Sequence, residues 1–451
     1  MPCRALALIR QQDTHTLMPS QTQLCSADTI IDSAPTPHTQ RWQVLAILSA
    51  LMGFASISTD FYLPAMPEMA DQLGADAGSV EFTISGFLIG FSLGQLLWGA
   101  LSDKYGRRLP VAIGLVLFVI GSIGCALSAS VEEIILWRIL QAIGACAGVV
   151  LSRAIVRDLY QGARAAQMLS TLIAVMAIAP LLGPILGSQI AAIAGWRAIF
   201  WVLVLLGLLA LVGLFTLPET LPAERRSTEP LTGAFRRYAN LLTHKKIIGY
   251  AGTGAFFYSG MYAYIAGTPF AFITYHKVPV EYYGLLFGSG IIGIVITNLI
   301  NARLVHRFGM NRILAGGTGF AMLSGIVLAI NSYFDFGGLW GLFLPLLAFV
   351  SVTGFVVANS IAGAMADYPE QAGSVSALVG AIQYGSGIAG SGLVGALADG
   401  TPWPMGWVIA VMATGAALCA WLVISSSRHL RRTDQTSHPF PTTKLKSEGS
   451  T

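Results

Sequence analysis

Charged residues are scarce in this chain. Lys, Arg, Asp and Glu together make up 11% of its 451 residues, whereas hydrophobic residues make up 54%. Soluble globular domains carry about 25% charged residues, so a soluble domain of this length is excluded. Cysteine is also rare. The five cysteines form no CxxC pair and no ligand cluster, which is typical of small buried or tail thiols.

The sequence also lacks the motifs of common enzyme classes. It has no G-x-x-x-x-G-K-S/T phosphate loop, no H-E-x-x-H zinc motif and no G-x-S-x-G nucleophile turn. Its seven histidines are scattered, mostly over tails and loops, and form no predicted metal site. We therefore predict a protein that is not an enzyme, does not hydrolyse ATP itself and has no cofactor.

Long apolar runs are what the sequence has in abundance. Twelve of them reach about 20 residues, the length that crosses a hydrocarbon core of ~30 Å. Lipid offers the backbone no hydrogen-bond partners, and the runs do not alternate as barrel strands would, so each is predicted to be a helix. The predicted fold class is an all-α integral membrane protein with twelve transmembrane helices. They lie at 43–63, 80–101, 109–129, 132–153, 166–192, 196–217, 247–272, 282–302, 312–331, 339–365, 374–397 and 405–426.

Lys and Arg are unevenly distributed between the loops. With the N-terminus inside, 23 of the 26 Lys and Arg residues fall in cytoplasmic segments, and only Arg197 and Lys277 fall outside. Because these residues collect on the cytoplasmic side, both termini are predicted to be cytoplasmic, in a multi-pass membrane protein. The same bias accounts for the net charge of +4, so no nucleic-acid partner is predicted.

Composition divides the chain into five segments. Residues 1–41 are predicted to form a disordered cytoplasmic tail, in which Met18 offers an alternative first residue. The charged stretch 218–246 is the predicted cytoplasmic linker between two six-helix halves. The halves are predicted at 42–217 and 247–426, and a second cytoplasmic tail at 427–451.

A basic turn between two apolar runs recurs in the second half. The turn Gly99–Leu109 has a degenerate copy, Arg303–Arg312, about 203 positions later, with His306 in place of Asp103. A repeated turn of this kind predicts two pseudo-symmetric halves around a central cavity.

These motifs jointly resemble those of the major facilitator superfamily over roughly residues 42–426. Gly99–Leu109 is similar to its G-x-L-x-D-x-x-G-R-R/K loop, and Leu136–Gly144 to its R-x-x-Q-G stretch with the glycine displaced. Ala179–Gly187 resembles the G-x-x-x-G-P-x-x-G motif of the drug/proton antiporter branch, with an alanine at the first glycine. Ser58–Pro67 resembles the first-helix ending of the Bcr/CflA subfamily, named for bicyclomycin and chloramphenicol resistance.

The resemblance implies a proton-coupled antiporter of the bacterial inner membrane that exports small amphipathic compounds or drugs by alternating access. Its partners would be the substrate, protons and the lipid bilayer, its energy source would be the proton gradient, and it is predicted to be a monomer. Two alternatives stay open. One is an uptake symporter or facilitator for a nutrient or metabolite, and the other is a membrane sensor that transports nothing.

Asp60 and Arg138 are charged residues within predicted spans. Asp60 is ~5 Å from the outer end of helix one, and Arg138 is ~8 Å from the outer end of helix four. Charges within a membrane are costly and usually face the interior or a water-filled cavity. Because helices one and four line the cavity in the resembled family, Asp60 is predicted to bind the coupling proton and Arg138 to tune it. The alternatives are a water-exposed interfacial anchor for Asp60 and a lone structural salt bridge for Arg138. Met52 stands where some related multidrug exporters carry a second carboxylate.

The basic turn is predicted to act as a breakable latch that favours one access state, a role that rests largely on the resemblance. Asp103 lies beside a helix N-terminus, and Asp158 is a candidate partner for Arg107. Gly106 permits the tight reversal, and Gly99 is expected to allow close helix contact. In the alternative, the basic residues of the turn only hold the topology.

Helix five carries two prolines and two glycines on or beside one face. Pro180, Gly183, Pro184 and Gly187 predict a bent helix that packs closely against a partner. The resemblance makes this motif the marker of an antiporter. Gly387 and Gly390 of helix eleven repeat its spacing.

Aromatic side chains are concentrated in helix seven, where Tyr258 and Tyr262 fall one turn apart. Aromatic walls with few charges suit flat, amphipathic or weakly cationic molecules, although aromatics also populate interfacial belts. The predicted substrate-binding residues are Tyr62, Gln141, Tyr258, Tyr262 and Gln383, with Tyr384 as a further polar candidate.

Overall fold

The computed structural model describes residues 38–437, except 161, 229–230 and 369–370. The predictions for residues 1–37, including Met18, and for 438–451 lie outside the described residues. Gln43–Thr451 form one compact unit, and the packing below is that of its described part.

All the regular structure in the described residues is helical, which confirms the all-α fold class. The α-helices are α1 His38–Asp60, α2 Met66–Leu73, α3 Ala77–Tyr105, α4 Arg108–Leu127, α5 Val131–Leu159, α6 Gly162–Ala194, α7 Trp196–Leu214, α8 Leu231–Leu241, α9 Lys245–Pro269, α10 Val280–Phe308, α11 Met310–Phe334, α12 Gly338–Ser351, α13 Thr353–Met365, α14 Ala372–Ala396 and α15 Trp403–Ser437. Short 3-10 turns at Leu63–Ala65 and Ala223–Arg225 and a π-helical turn at Phe270–Tyr275 complete the set.

Every predicted span overlaps one of these helices. Among the described residues, ten helical segments are long and apolar enough to cross a membrane, with α1 and α2 counted as one segment and α12 and α13 as another. The two predicted spans outside that count are those of α6 and α9. Helix α9 is rich in glycine, tyrosine and threonine, which makes it less apolar than its neighbours. The protein is therefore a multi-pass membrane protein, and the count of twelve spans stays a prediction.

Two departures from the prediction lie outside the apolar runs. The linker contains helix α8, whose eleven residues Leu231–Leu241 mix apolar and polar residues with one pair of adjacent arginines. Helix α15 continues beyond residue 426 to Ser437, into the segment predicted as a tail.

The repeated basic turn has the same backbone conformation in both halves. Gly106 ends α3 with φ +90°, and Gly309 ends α10 with φ +79°. Both angles lie in a region that side chains with a Cβ rarely adopt, so glycine is required for the reversal. The shared conformation supports the interpretation that the two turns are copies of one another.

Small residues bring α3 and α5 into close contact. A Cβ added to Gly90 would lie 2.1 Å from the carbonyl oxygen of Ile139, and one added to Gly94 would lie 2.8 Å from Cβ of Cys146. The expectation of close contact at Gly99 is wrong, because a Cβ there would meet nothing within 4 Å. Gly99 is five residues past Gly94, which turns it roughly 140° away from the face that packs on α5.

Candidate functional site

One end of the bundle, which we call the Asp60 end, is built where α1 stops. Helix α1 ends at Asp60, and the turn Leu63–Ala65 then crosses towards α6, α9 and α10. Asp60 is buried, with 5% of its surface exposed. The alternative of a water-exposed anchor is therefore wrong in this structure.

The glycines of the helix-five motif lie in α6 and cover the end of α1. A Cβ added to Gly183 would lie 2.9 Å from Cβ of Asp60, and one added to Gly187 would lie 1.9 Å from the carbonyl oxygen of Phe61. Only a residue without a side chain lets the α6 backbone approach this closely. The predicted close contact of this face is confirmed, and its partner is the segment that carries Asp60. Pro180 and Pro184 lie within the same continuous helix.

Arg138 is fully buried in a pocket beside the same turn. Its Nη1 donates to the carbonyl oxygen of Ser58 and to Oε1 of Gln141, at 2.8 Å each. Its guanidinium lies over the rings of Tyr62, at 4.3 Å, and Phe87, at 4.5 Å. Nε and Nη2 have no hydrogen-bond partner among the described residues. The positive charge is thus held by carbonyl and amide oxygens and by two aromatic faces.

Asp60 and Arg138 do not form an ion pair among the described contacts. No carboxylate oxygen of the described residues lies within 4 Å of the Arg138 guanidinium, so the alternative of a lone salt bridge is wrong. The two side chains act on each other electrostatically. The hydrogen bond from Arg138 to the Ser58 carbonyl attaches the guanidinium to α1 two residues before Asp60. Asp60 also lies within electrostatic reach of Tyr262, Tyr264 and Tyr283 in the second half.

Aromatic side chains from both halves meet next to this pocket. Tyr384 of α14 lies 4.5 Å from Phe91 of α3, 5.5 Å from Tyr258 and 6.3 Å from Tyr262, measured between ring centroids. Phe87 connects this aromatic cluster to Arg138, because its ring centroid lies 6.0 Å from that of Phe91.

The predicted substrate-binding residues fall into two groups. Tyr258 and Tyr262 belong to the aromatic cluster, whereas Tyr62 and Gln141 belong to the Arg138 pocket. There Tyr62 shares a 3.0 Å hydrogen bond with Thr83, and Gln141 donates to Ser122 at 2.8 Å. Gln383 is buried beside α9 and donates to Ser360 at 3.5 Å.

Sequence reasoning missed Phe87 and Phe91. Their spacing of four residues places both on one face of α3, and that spacing was the available signal. Arg153 of α5 was not among the predicted site residues; it is exposed and within electrostatic reach of Tyr258 and Tyr384.

The opposite end of the bundle, which we call the latch end, carries the contacts of the basic turn. Arg107 Nη1 donates to Asp103 Oδ1 at 2.6 Å and to Ser102 Oγ at 2.7 Å, and its Nε donates to Asp158 Oδ2 at 2.8 Å. The predicted Arg107–Asp158 contact is therefore confirmed. Arg107 joins α3 to α5 at this end.

Glu219, just after α7, completes the latch and was missed by sequence reasoning. Its carboxylate accepts from the backbone N–H groups of Arg107 at 2.8 Å and Arg108 at 3.1 Å, which cap α4. Partial burial raises the pKa of Glu219, but these N–H donors, that of Leu221 and the charge of Arg226 outweigh burial and hold the pKa below its usual value. The available signal was an acid between two prolines, Pro218 and Pro222, after a span.

The two halves touch along two helix pairs. Between α3 and α14, Ser85 Oγ and Ser391 Oγ are 2.7 Å apart, and Ser92 donates to the carbonyl oxygen of Ala381 at 2.9 Å. Between α10 and α6, a Cβ on Gly284 would lie 2.8 Å from the backbone N of Ile185. These contacts close the Asp60 end of the bundle.

No group of three or more His, Cys, Asp or Glu side chains placed to hold a metal ion occurs in the described part of the chain. The chemistry that the described site offers is that of one buried carboxyl, one buried guanidinium and an aromatic wall.

The structure is a helical membrane bundle of two halves, with a buried charge site in the first half beside an aromatic cluster shared by both, an arrangement that suits a membrane transporter. The Major Facilitator Superfamily profile matches residues 45–391, and the chain belongs to that superfamily.

Similar proteins agree with the subfamily assignment. A bicyclomycin resistance protein homolog of Haemophilus influenzae is 30% identical, over 80% of this chain and 90% of the relative. A chloramphenicol resistance protein of Pseudomonas aeruginosa is 30% identical, over 80% of this chain and 85% of the relative. These matches confirm the Bcr/CflA resemblance. The crystal structure of a D-xylose-proton symporter, 18% identical, superposes with a TM-score of 0.65 over 85% of this chain and 97% of that one, which supports the fold alone.

Proposed function

We propose that this protein is a proton-coupled antiporter that exports small amphipathic compounds, including antibiotics, across the bacterial inner membrane by alternating access. The names of the bicyclomycin and chloramphenicol resistance relatives support export of drugs. The aromatic cluster supports amphipathic substrates, because its walls are ring faces that carry no charge of their own.

The observation that carries the proposal is the environment of Asp60. The carboxyl is buried under Gly183 and Gly187 and accepts no hydrogen bond from the described residues. An ionised carboxylate without partners is costly in such a place, so a proton is held there while this end is closed. When the halves separate, water reaches Asp60 and the proton can exchange.

Arg138 supplies a charge that does not titrate. A guanidinium remains protonated in proteins, so Arg138 favours the ionised form of Asp60 in every state of the cycle. Its anchoring to the Ser58 carbonyl keeps that charge at a fixed place relative to the end of α1. Phe87 lies between the aromatic cluster and Arg138, so substrate bound in the cluster would lie close to the Arg138 charge. Drug and proton would then compete for the same part of the site.

The latch end would face the cytoplasm. The basic residues of the turn, including Arg107 and Arg108, support this orientation, with both termini on the cytoplasmic side. In our proposal the latch contacts around Arg107 break and reform as the halves rock, the energy comes from the proton gradient, and the protein performs no covalent catalysis and needs no cofactor. One chain supplies both halves of the path, so a monomer suffices.

Everted membrane vesicles test the proposal. With an imposed pH gradient, acid inside, addition of chloramphenicol or bicyclomycin should partly collapse the gradient, because drug entry is exchanged for proton exit. Vesicles with Asp60→Asn should show no collapse, whereas Asp71→Asn, an exposed acid at the same end, should behave as wild type.

Other results would overturn the proposal. Absence of collapse with both drugs and with a panel of amphipathic compounds would favour a membrane sensor. A collapse elicited by sugars or small acids together with unchanged drug accumulation in cells would favour uptake.

A further inference from the structure

A second acidic side chain, Glu81, is buried where the two halves meet. Glu81 lies one turn into α3 and is 3% exposed. Close beside it, the α3 and α14 backbones almost touch, because a Cβ on Gly78 would lie 2.2 Å from the carbonyl oxygen of Gly395. A Cβ on Gly395 would in turn lie 3.4 Å from Cβ of Glu81. The side chain therefore stands in the contact between the halves.

Glu81 has no partner that would stabilise a negative charge. Its Oε2 is buried without a hydrogen bond, and no Lys, Arg or His of the described residues lies within 4 Å of the carboxyl. The charge that acts on Glu81 is that of Asp76, which has the same sign and is already committed to capping α3 through Ser79.

Among the described residues, the helices packed on α3 add no compensating cation at this place. Across the contact, α14 presents Ser391 and Gly395, which are uncharged. The other charged groups at this end have their own partners or stand apart: Arg138 and Glu133 of α5, Glu68 and Asp71 of α2, and Asp399 beyond α14.

We propose that Glu81 is a second proton-binding site, which must be neutral for α3 and α14 to close at the Asp60 end and which releases its proton when they part. The burial without a partner is the physical reason, because a charged carboxylate could remain in this contact only at a large desolvation cost. In the open state the carboxyl would face water and ionise.

This proposal rests on the alternating access proposed above and adds a distinct task. Asp60 would exchange its proton against the substrate. Glu81 would instead couple closure of the two halves to the proton concentration on the side of the membrane that the Asp60 end faces. Protons on the Asp60 side would then favour return of the empty carrier to the closed state, and substrate would not compete for this second site.

Hydrogen–deuterium exchange of the full-length protein in nanodiscs tests the proposal without substrate or gradient. The exchange rates of peptides covering residues 77–85 and 388–397, corrected for intrinsic exchange, report the opening constant of the α3–α14 contact. The logarithm of that constant should rise with pH, with a slope equal to the number of protons released. Glu81→Gln, which mimics the neutral carboxyl, should lower the slope by about one and slow exchange severalfold at pH 8.

Matched variants separate the possible outcomes. Glu81→Leu should also reduce the pH slope and keeps the test valid if the glutamine variant does not fold, whereas Asp71→Asn, an exposed acid at the same end, should leave the slope unchanged. A slope for folded Glu81→Gln or Glu81→Leu equal to that of the wild type would overturn the proposal. Failure of the Asp60 assignment would appear separately, as an unchanged drug response of Asp60→Asn with the Glu81 effect intact.

Discussion

Among the single residues at the Asp60 end, Arg138 is held by several different kinds of contact. It uses two oxygen acceptors and two ring faces at once, and a lysine ammonium could not reproduce this planar arrangement. Removal of the side chain would leave Gln141 and the Ser58 carbonyl without their donor in a buried place. A structural role and the proposed electrostatic role would therefore be combined in one side chain.

We expect Arg138→Ala to lower both stability and transport. Loss of the buried donor should cost about 2 kcal/mol of the free energy of unfolding, and drug efflux should fall below detection because the tuning charge is gone. Lys104→Ala removes an exposed cation of the basic turn and should have a mild effect on both. Thermal unfolding of purified protein and efflux from cells measure the two effects. Equal, mild effects of both variants would reduce Arg138 to a packing residue.

Glu219 predicts a specific pH dependence at the latch end. Its pKa is held below the usual 4.5 in the folded protein, so its contribution to stability is present above that value and is lost as the pH falls through the lowered pKa. Glu219→Gln should therefore unfold at a lower temperature than wild type at pH 7, and the difference should shrink at pH 4. Glu224→Gln, at an exposed site in the same linker, is the control. A difference that persists unchanged at pH 4 would contradict this role.

Sequence reasoning was most successful where a residue type is costly in its surroundings. Asp60 and Arg138 could be singled out as site residues because a charge inside an apolar run is costly to bury. Glu219 and Phe91 could not be found in this way, because an acid in a linker and an aromatic residue in a membrane helix are both common. Their positions follow from tertiary contacts across the bundle, which a linear pattern does not specify.

At the scale of helices, the two halves share one kind of close contact, in which a glycine of one helix packs on a backbone carbonyl of another chain segment. In the first half, Gly187 of α6 faces the Phe61 carbonyl at the end of α1. In the second half, Gly390 of α14 faces the Ser259 carbonyl of α9, where an added Cβ would lie 1.8 Å away. Because α9 is the counterpart of α1, and α14 the counterpart of α6, the repeat extends from the turns to the helix contacts.

The glycine contact can be tested with one substitution at two sites. Gly187→Ala should reduce folded protein and abolish efflux, because its Cβ would lie 1.9 Å from the Phe61 carbonyl and the α6 backbone would have to move away from Asp60. Gly319→Ala in α11, where a Cβ would meet nothing within 4 Å, should be neutral or slightly stabilising, since alanine favours a helix. Expression, thermal unfolding and efflux are the measurements. Normal efflux by Gly187→Ala would contradict the close contact.

The existence of the helices was predictable from the sequence, but their contact faces were not fully so. Each apolar run of the right length overlaps a helix of the structure, because lipid leaves the backbone no alternative. Gly99 is an example of a contact face that the sequence did not predict correctly. The presence of a glycine in a known motif does not indicate which face of the helix packs against a neighbour. Helix α8 was missed because eleven mixed apolar and basic residues in a linker resemble an irregular segment.

At the scale of the whole molecule, the structure is closed at the Asp60 end. The contact between α3 and α14 carries the Ser85–Ser391 hydrogen bond, and the contact between α6 and α10 lies beside the helix-five motif. A transporter that alternates must break both contacts to expose Asp60 on that side.

A disulfide across this contact should trap the closed state. The Ser85 and Ser391 oxygens are 2.7 Å apart, so Ser85→Cys combined with Ser391→Cys should form a bond on oxidation with little backbone movement. Oxidised double variant should lose more than nine-tenths of efflux, about a tenfold effect, and reduction should restore it. Each single variant is a control. Full transport by the cross-linked protein would mean that these helices need not separate.

The most direct test of the central claim, that Asp60 exchanges a proton against substrate, is proton release from purified protein in weakly buffered solution. Addition of a saturating drug that binds should release about one proton per wild-type molecule, and none from Asp60→Asn when binding is confirmed independently. Glu81→Gln and Asp71→Asn should release as much as the wild type. Undiminished proton release by Asp60→Asn on drug binding would contradict the account.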